Sequence, residues 1–217
     1  MIDLYEAMSS LRAVRRLKSD PIDEDVLERV LQAAAWAPTG GNMQPFKIVV
    51  AQSDAVKAQI KSLYHEEWYK YIAPTRNGLE KLPEHARDGT QKMMRAGDYL
   101  AEHMELAPAI LIFCFNPAMM AITDANLDRP SVVGGGSVYT AVQNVMLACR
   151  AEGLGCVLTT LLCLREKEVK AILGIPDEWG TCAHIPIGYP VLKGHGPITR
   201  RPLGKLTYRD QWGSHWS

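Results

Sequence analysis

The apolar positions of this chain change their spacing several times, and each change marks an element. Val26, Leu27, Val30, Leu31 and Ala34 recur at three and four, as one face of a helix does; Asp23 stands where it can cap the start, and Pro38 forbids continuation. The β-branched run KIVVAQ then reads as a strand. Val56, Ile60, Leu63, Tyr64, Trp68 and Tyr71 return to helical spacing, which predicts a long amphipathic helix over about 54–73 with an aromatic end. APTRNGLEKLPEHARDGTQ has no such spacing and predicts a polar loop, followed by a helix over about 92–106 and a buried strand, AILIFCF. A second irregular stretch is expected over 116–136. Ser137 can cap the helix VYTAVQNVMLACRAEG, with Gly153 and Gly155 as its stop, and CVLTTL follows as a strand. A short helix EKEVKAILG, a strand TCAHIPIGY and a non-repetitive tail complete the pattern, which begins with a helix ahead of LRAVRRLKSDP. Strands and helices interleave without repeat or linker, so the expectation is one α+β domain over 1–217 with a central sheet surrounded by helices.

Composition narrows what this domain does. Its 217 residues are 47% hydrophobic, enough for a large core, and Lys plus Arg equal Asp plus Glu at 24 each, so no global field draws it to nucleic acid or an anionic membrane. Any basic site must be local. Five cysteines, Cys114, Cys149, Cys156, Cys163 and Cys182, include no CxxC pair and sit mostly in apolar runs, which suits reduced core thiols better than disulfides or zinc ligands. No metal site is expected. The opening MIDLYEAMSSLRAVRR carries acids early and no apolar run of signal-peptide length, and no stretch approaches about 18 consecutive apolar residues, so the expected compartment is the cytoplasm.

Three polar clusters carry candidate chemistry. Arg12, Arg15, Arg16 and Lys18 crowd into one short segment; either they form a solvated basic turn balanced by Asp20 and Asp23, or they meet an anion such as a phosphate, whose oxygens guanidinium forks bind in pairs. In WAPTGGNMQPF, Gly40 and Gly41 permit close backbone approach, while Thr39, Asn42 and Gln44 offer donors and acceptors for the edge of a heterocycle; a plain connector with Asn at a positive φ fits the same residues. GPITRRPLGKL places Arg200 and Arg201 in the tail, as a further cation pair or as surface decoration. His65, His85, His103, His184 and His195 lack a triad-like setting and read as loop or core residues, Cys163 reads as a core thiol, and Gly134–136 lacks the following Lys of a P-loop.

The order of these segments resembles the FMN-dependent nitroreductase family. LRAVRRLKSDPIDEDVLERVLQAAAWAPTGGNMQPFKIVV is similar to that family's N-terminal signature, and SVYTAVQNVMLACRAEGLGCVLTT, EVKAILGIPDEWGTCAHIPIGYP and RRPL follow in the family's order. The resemblance implies a mostly antiparallel sheet and a homodimer of domain-swapped character with FMN at the subunit interface. It implies that Arg12, Ala13, Arg15, Arg16, Arg200 and Arg201 hold the FMN phosphate and pyrimidine, and that Pro38, Thr39, Gly40, Asn42 and Gln44 approach from the other subunit. Thr159, Thr160 and Leu161 would pass the central ring, with backbone N–H groups of Thr160 and Leu161 facing N5. NAD(P)H would deliver hydride to the flavin, and a nitroaromatic, quinone or similar small acceptor would remove two electrons in a ping-pong cycle, with no catalytic side chain required.

Departures from the family pattern are Leu11 and Ala13 in place of Arg and Ser, Leu17 in place of Phe, Phe46 in place of Trp, and TTLLCL where an acid and a glycine are common. Segments 73–91 and 116–136 are expected to vary with substrate. Trp68, Tyr69 and Tyr71 either wall the acceptor pocket or pack in the core. Two other activities stay open. One is the same cofactor with other redox work, namely reductive dehalogenation, heterocycle oxidation or flavin breakdown; the other is a flavin-binding module without catalysis.

Overall fold

The computed structural model describes residues 2–216 and builds one four-stranded sheet. Its strands are β1 (Phe46–Ala51), β2 (Ala109–Phe115), β3 (Gly155–Cys156) and β4 (Gly180–Gly188), in the order β1-β2-β4-β3, with every neighbouring pair antiparallel. Helices α1 (Leu4–Ser10), α2 (Glu24–Ala35), α3 (Asp54–Asn77), α4 (Glu84–His103), α5 (Gly136–Ala151) and α6 (Glu166–Leu173) lie around it.

AILIFCF reads as an unbroken apolar run because both faces of the sheet are covered. Leu111 and Phe113, with Ala183, Ile185 and Ile187 of β4, pack against Leu27 and Val30 of α2 and Val142 and Val145 of α5. Ile110, Ile112 and Cys114 point the other way, into a second cluster with Ile60, Tyr64 and Trp68 of α3, Leu100 of α4 and Val169 of α6. The register pairs Phe46 with Phe115 and Ile110 with Pro186, with one irregularity between Phe113 and Cys114.

Several expectations need correction. The stretch 73–91 is mostly helix: α3 continues through Pro74 to Asn77, and α4 begins at Glu84. The first half of α4 is largely exposed, so no face demanded apolar spacing; it is supported locally by a Lys92–Asp88 pair at 2.6 Å and by Arg87, which donates to the carbonyls of Leu82 and Glu80. Of CVLTTL only Cys156 lies in β3, with a further bridge between Thr159 and His184, because the chain leaves the sheet edge after Cys156. Asp23 makes no capping bond. Nor does Ser137 cap α5, which starts at Gly136; its Oγ accepts the Gly40 N–H at 3.0 Å instead. Gly153, at φ 78°, does end α5, whereas Gly155 belongs to β3.

Candidate functional site

The segment after α1 is pinned between β3 and the tail. Val14 N–H donates to the Cys156 carbonyl at 2.9 Å, Lys18 N–H to that of Tyr189 at 2.8 Å and Val191 N–H to that of Arg16 at 3.0 Å. Val14 and Leu17 are buried, which turns Arg12 and Arg16 outward and leaves Arg15 half-buried. Arg12 stands between two clefts. One, of about 340 Å³, is lined by Arg12, Ala13, Gln143, Met146, Leu158 and Arg200, among others. The second, of about 180 Å³, is lined by Arg12, Arg15, Arg16, Ala96 and Gly194, among others. Cations from the two ends of the chain therefore meet. Arg201 is exposed and lines neither cleft.

The electrostatics of this meeting are unbalanced. Among the described residues Arg29 and Arg165 each pair with carboxylates, but none of Arg12, Arg15, Arg16, Arg200 and Arg201 does. Arg16 is satisfied otherwise, with its guanidinium 3.9 Å from the centre of the Tyr99 ring. Arg15 lies near the buried phenol of Tyr64, which burial holds above its ordinary range against the Thr159 hydroxyl and the Arg15 charge. The donor set is thus cationic, planar and short of anions, which fits a phosphate ester.

Thr159 sits where the chain leaves β3. Its N–H and carbonyl both bond to the backbone of His184 at 3.0 Å, and its Oγ1 accepts the Leu161 N–H at 3.3 Å. Among the described residues nothing accepts the Thr160 N–H, and Thr160 is exposed. Of the two expected backbone donors, Thr160 is the free one.

The loop WAPTGGNMQPF is stapled to the start of α5. Gly40 donates to Ser137, Thr140 Oγ1 donates to the Pro38 carbonyl at 3.1 Å, and Gln44 N–H donates to Thr39 Oγ1 at 3.1 Å. Gly41, Asn42 and Gln44 adopt φ of 58°, 54° and 48°. For Gln44 this left-handed backbone is unfavourable and is held by the Thr39 bond and by its own Nε2, which donates to Asn42 Oδ1 at 3.2 Å. Asn42 and Gln44 are exposed, and residues 39–44 line neither arginine cleft. Pro38 lines a broader cleft of about 820 Å³ along α5, and Gln143 borders both this cleft and the Arg12–Arg200 cleft. Sequence reasoning passed over Gln143; its signal was a polar residue on an apolar helix.

The aromatic end of α3 lies elsewhere. Trp68 is buried and its Nε1 donates to Asp98 at 2.8 Å, Tyr69 donates to Glu102 at 3.0 Å, and Tyr71 is exposed. None lines an arginine cleft. Burial pushes the Cys163 thiol up to about 11 and that of Cys182 to about 12, so neither supplies a thiolate at neutral pH. Among the described residues no group of three or more His, Cys, Asp or Glu is placed to hold a metal, and no helix is long and apolar enough to cross a membrane.

A family model described as "Nitroreductase family" matches residues 9–189, taking in the first arginine cluster, the stapled loop, the whole sheet and Thr159. The chain belongs to the nitroreductase family. Among family relatives, an NADH dehydrogenase of Thermus thermophilus is 26% identical over 95% of each chain. A 5,6-dimethylbenzimidazole synthase of Rhodospirillum rubrum is 30% identical over 82% of this chain and 78% of its own. The fold matches that of an iodotyrosine deiodinase bound to FMN and 3-iodo-L-tyrosine, with a TM-score of 0.68 at 22% identity over 96% of this chain and 99% of the other. Nitroreductase membership makes the chain an oxidoreductase-family protein whose antiparallel sheet and surrounding helices are the family fold.

Proposed function

We propose that this chain is an FMN-dependent NAD(P)H oxidoreductase that reduces nitroaromatics, quinones or related small acceptors. The observation that carries the reading is the meeting of Arg12 and Arg200, far apart in sequence, at one cleft whose described lining includes no carboxylate. Bound FMN would supply the redox chemistry, accepting two electrons from the nicotinamide and releasing them to the second substrate in a ping-pong cycle. Arg12 and Arg200 would hold its phosphate, with Ala13 allowing close approach. Arg15 and Arg16 would add positive potential toward the ring, and the free Thr160 N–H would offer a hydrogen bond at its edge. Thr159 and Leu161 serve the same edge indirectly, by fixing the backbone through their mutual bond.

Residues 38–44 are held rigidly on α5 yet line neither arginine cleft, so in this reading they serve the site of a second copy in a homodimer. Pro38, Thr39, Gly40, Asn42 and Gln44 would then complete the flavin pocket across the interface. Sedimentation at micromolar concentration should give a dimer; a purely monomeric protein would contradict this sharing. Trp68 and Tyr69 are better placed to fix α3 on α4 than to touch an acceptor, and Tyr71 is exposed.

The direct test is to load the purified protein with FMN and add NADH or NADPH without oxygen. Rapid loss of flavin absorbance is expected, with recovery on adding a nitroaromatic or quinone. Persistent colour would reject the reductase and leave a flavin-binding module. A second reading keeps the site and changes the acceptor, favoured by relatives named for 5,6-dimethylbenzimidazole synthesis and iodotyrosine deiodination. Recovery of colour with a halogenated phenol but not with a nitroaromatic or quinone would favour dehalogenation. Consumption of the flavin itself under oxygen would favour flavin breakdown.

A further inference from the structure

Three consecutive residues of the tail each bond to a different part of the molecule. The Gly194 carbonyl accepts from Arg12 Nε at 2.8 Å, His195 Nε2 lies 2.8 Å from the Leu154 carbonyl, and the Gly196 N–H donates to the Ser10 carbonyl at 3.1 Å. Ser10 is itself tied to α5, its Oγ accepting from Arg150 Nε at 2.8 Å, and Arg150 pairs with Glu6 at 3.3 Å. Residues 194–196 thus buckle the segment after α1 to the start of β3.

The local chemistry allows little variation. Gly194 has φ 70°, and a Cβ there would stand 2.7 Å from Pro190 Cγ, so a side chain is excluded by both backbone and space. A carbonyl only accepts, so His195 must carry a proton on Nε2, and its buried Nδ1 has no partner among the described residues. Burial foremost lowers the pKa of this ring; the bond to the Leu154 carbonyl opposes that shift, and the charges of Arg150 and Arg12 reinforce it. The Leu154 bond is therefore the one polar anchor of a buried side chain, and through the next residue it sets the carbonyl that holds Arg12.

We infer that His195 is a positioning residue that, through Gly194, pre-sets the Arg12 guanidinium for the phosphate group of a bound phosphate ester. An arginine with Nε already engaged presents its remaining donors in a fixed direction and loses less rotamer freedom on binding an anion. In naming FMN as that ester the inference rests on the function proposed above.

The test is equilibrium titration of the apoprotein with FMN and with riboflavin, which has the same ring and no phosphate, followed by flavin fluorescence. The His195→Ala variant should bind FMN about tenfold more weakly, the equivalent of about 1.4 kcal/mol, with riboflavin affinity unchanged. In His195→Gln the side-chain amide can replace Nε2–H, and most of the FMN affinity should return. In an Arg12→Ala background the His195→Ala change should have no further effect on FMN. Equal losses for FMN and riboflavin, no loss at all, or additive effects in the double variant would each overturn the positioning role. Should His195→Ala not fold, His195→Asn, whose amide falls short of Leu154, takes its place; it should lose FMN affinity where His195→Gln keeps it, and equal affinities overturn the inference. A wild-type protein that binds neither flavin rejects the FMN reading itself, an outcome separate from all of these.

Discussion

His184 occupies the inner strand β4 with no solvent exposure, and among the described residues neither of its ring nitrogens has a hydrogen-bond partner. Burial pushes its pKa down to about 4, and the favourable influence of the Thr159 backbone offsets only part of that. In the unfolded chain the same ring titrates near the ordinary value of about 6.5. Between these values the unfolded state binds a proton that the native state refuses, so stability is intact above about pH 6.5 and falls as the pH drops toward 4. Urea unfolding at pH 7 and pH 4.5 should show a loss from this group on the order of 2–3 kcal/mol. His184→Leu should lose less than the wild type by that amount; parallel losses would show that the ring titrates normally. Arg200 poses the opposite case. It is exposed and has no carboxylate partner among the described residues, so Arg200→Ala should weaken FMN binding by about tenfold, as expected for one charge-assisted contact, while leaving the melting temperature of the apoprotein unchanged. Arg201→Ala, outside both clefts, should do less.

The α3–α4 pair shows how one element dictates residues in another. Gly97 lies in α4 where a Cβ would stand 2.1 Å from Trp68 Cζ2, and the indole cannot swing aside without breaking its bond to Asp98. Gly→Ala in an open helix gains about 1 kcal/mol, whereas overpacking a fixed core costs about 1–3 kcal/mol. The clash should win: Gly97→Ala is expected to lower the melting temperature by a few degrees, and a rise would mean that the two helices separate more easily than their packing implies. The segment 116–136 is held differently, around a single buried carboxylate. Asp124 accepts from Ser131 Oγ at 2.7 Å, from Val132 N–H at 2.9 Å, from Val133 N–H at 3.3 Å and from Arg129 at 2.8 Å, and these donors, Ser131 foremost, hold its pKa well below the usual carboxylate range. Asp124→Ala should therefore open the loop, read as faster proteolytic cleavage within 124–133 with the remaining chain intact. This loop helps wall an apolar cavity of about 310 Å³ beside Phe115 and Tyr139, so its loosening should also raise the KM of any acceptor that uses that cavity.

For the molecule as a whole, the positions and order of most elements were legible from periodicity. A helix with one buried face, such as α2, or a strand buried on both, such as β2, must show its environment in its sequence. The first half of α4 escaped because a helix surrounded by water has no apolar stripe to display. The arginine clusters were legible as excess charge, and the family resemblance supplied the ligand that such charge would suit. What no local pattern contained was which of those cations meet. Arg12 and Arg200 share a cleft while Arg201 does not, Ser137 serves a loop and not its own helix, and His195 bonds to the Leu154 carbonyl while its neighbour Gly194 accepts from Arg12. The sequence by itself determined most of the elements, the sign of the charge at the candidate site and the family. The tertiary structure alone decided the partners, because a hydroxyl, a guanidinium or an imidazole bonds to whatever the path of the chain brings within about 3 Å, and that path is set by sheet order and packing among residues far apart along the chain.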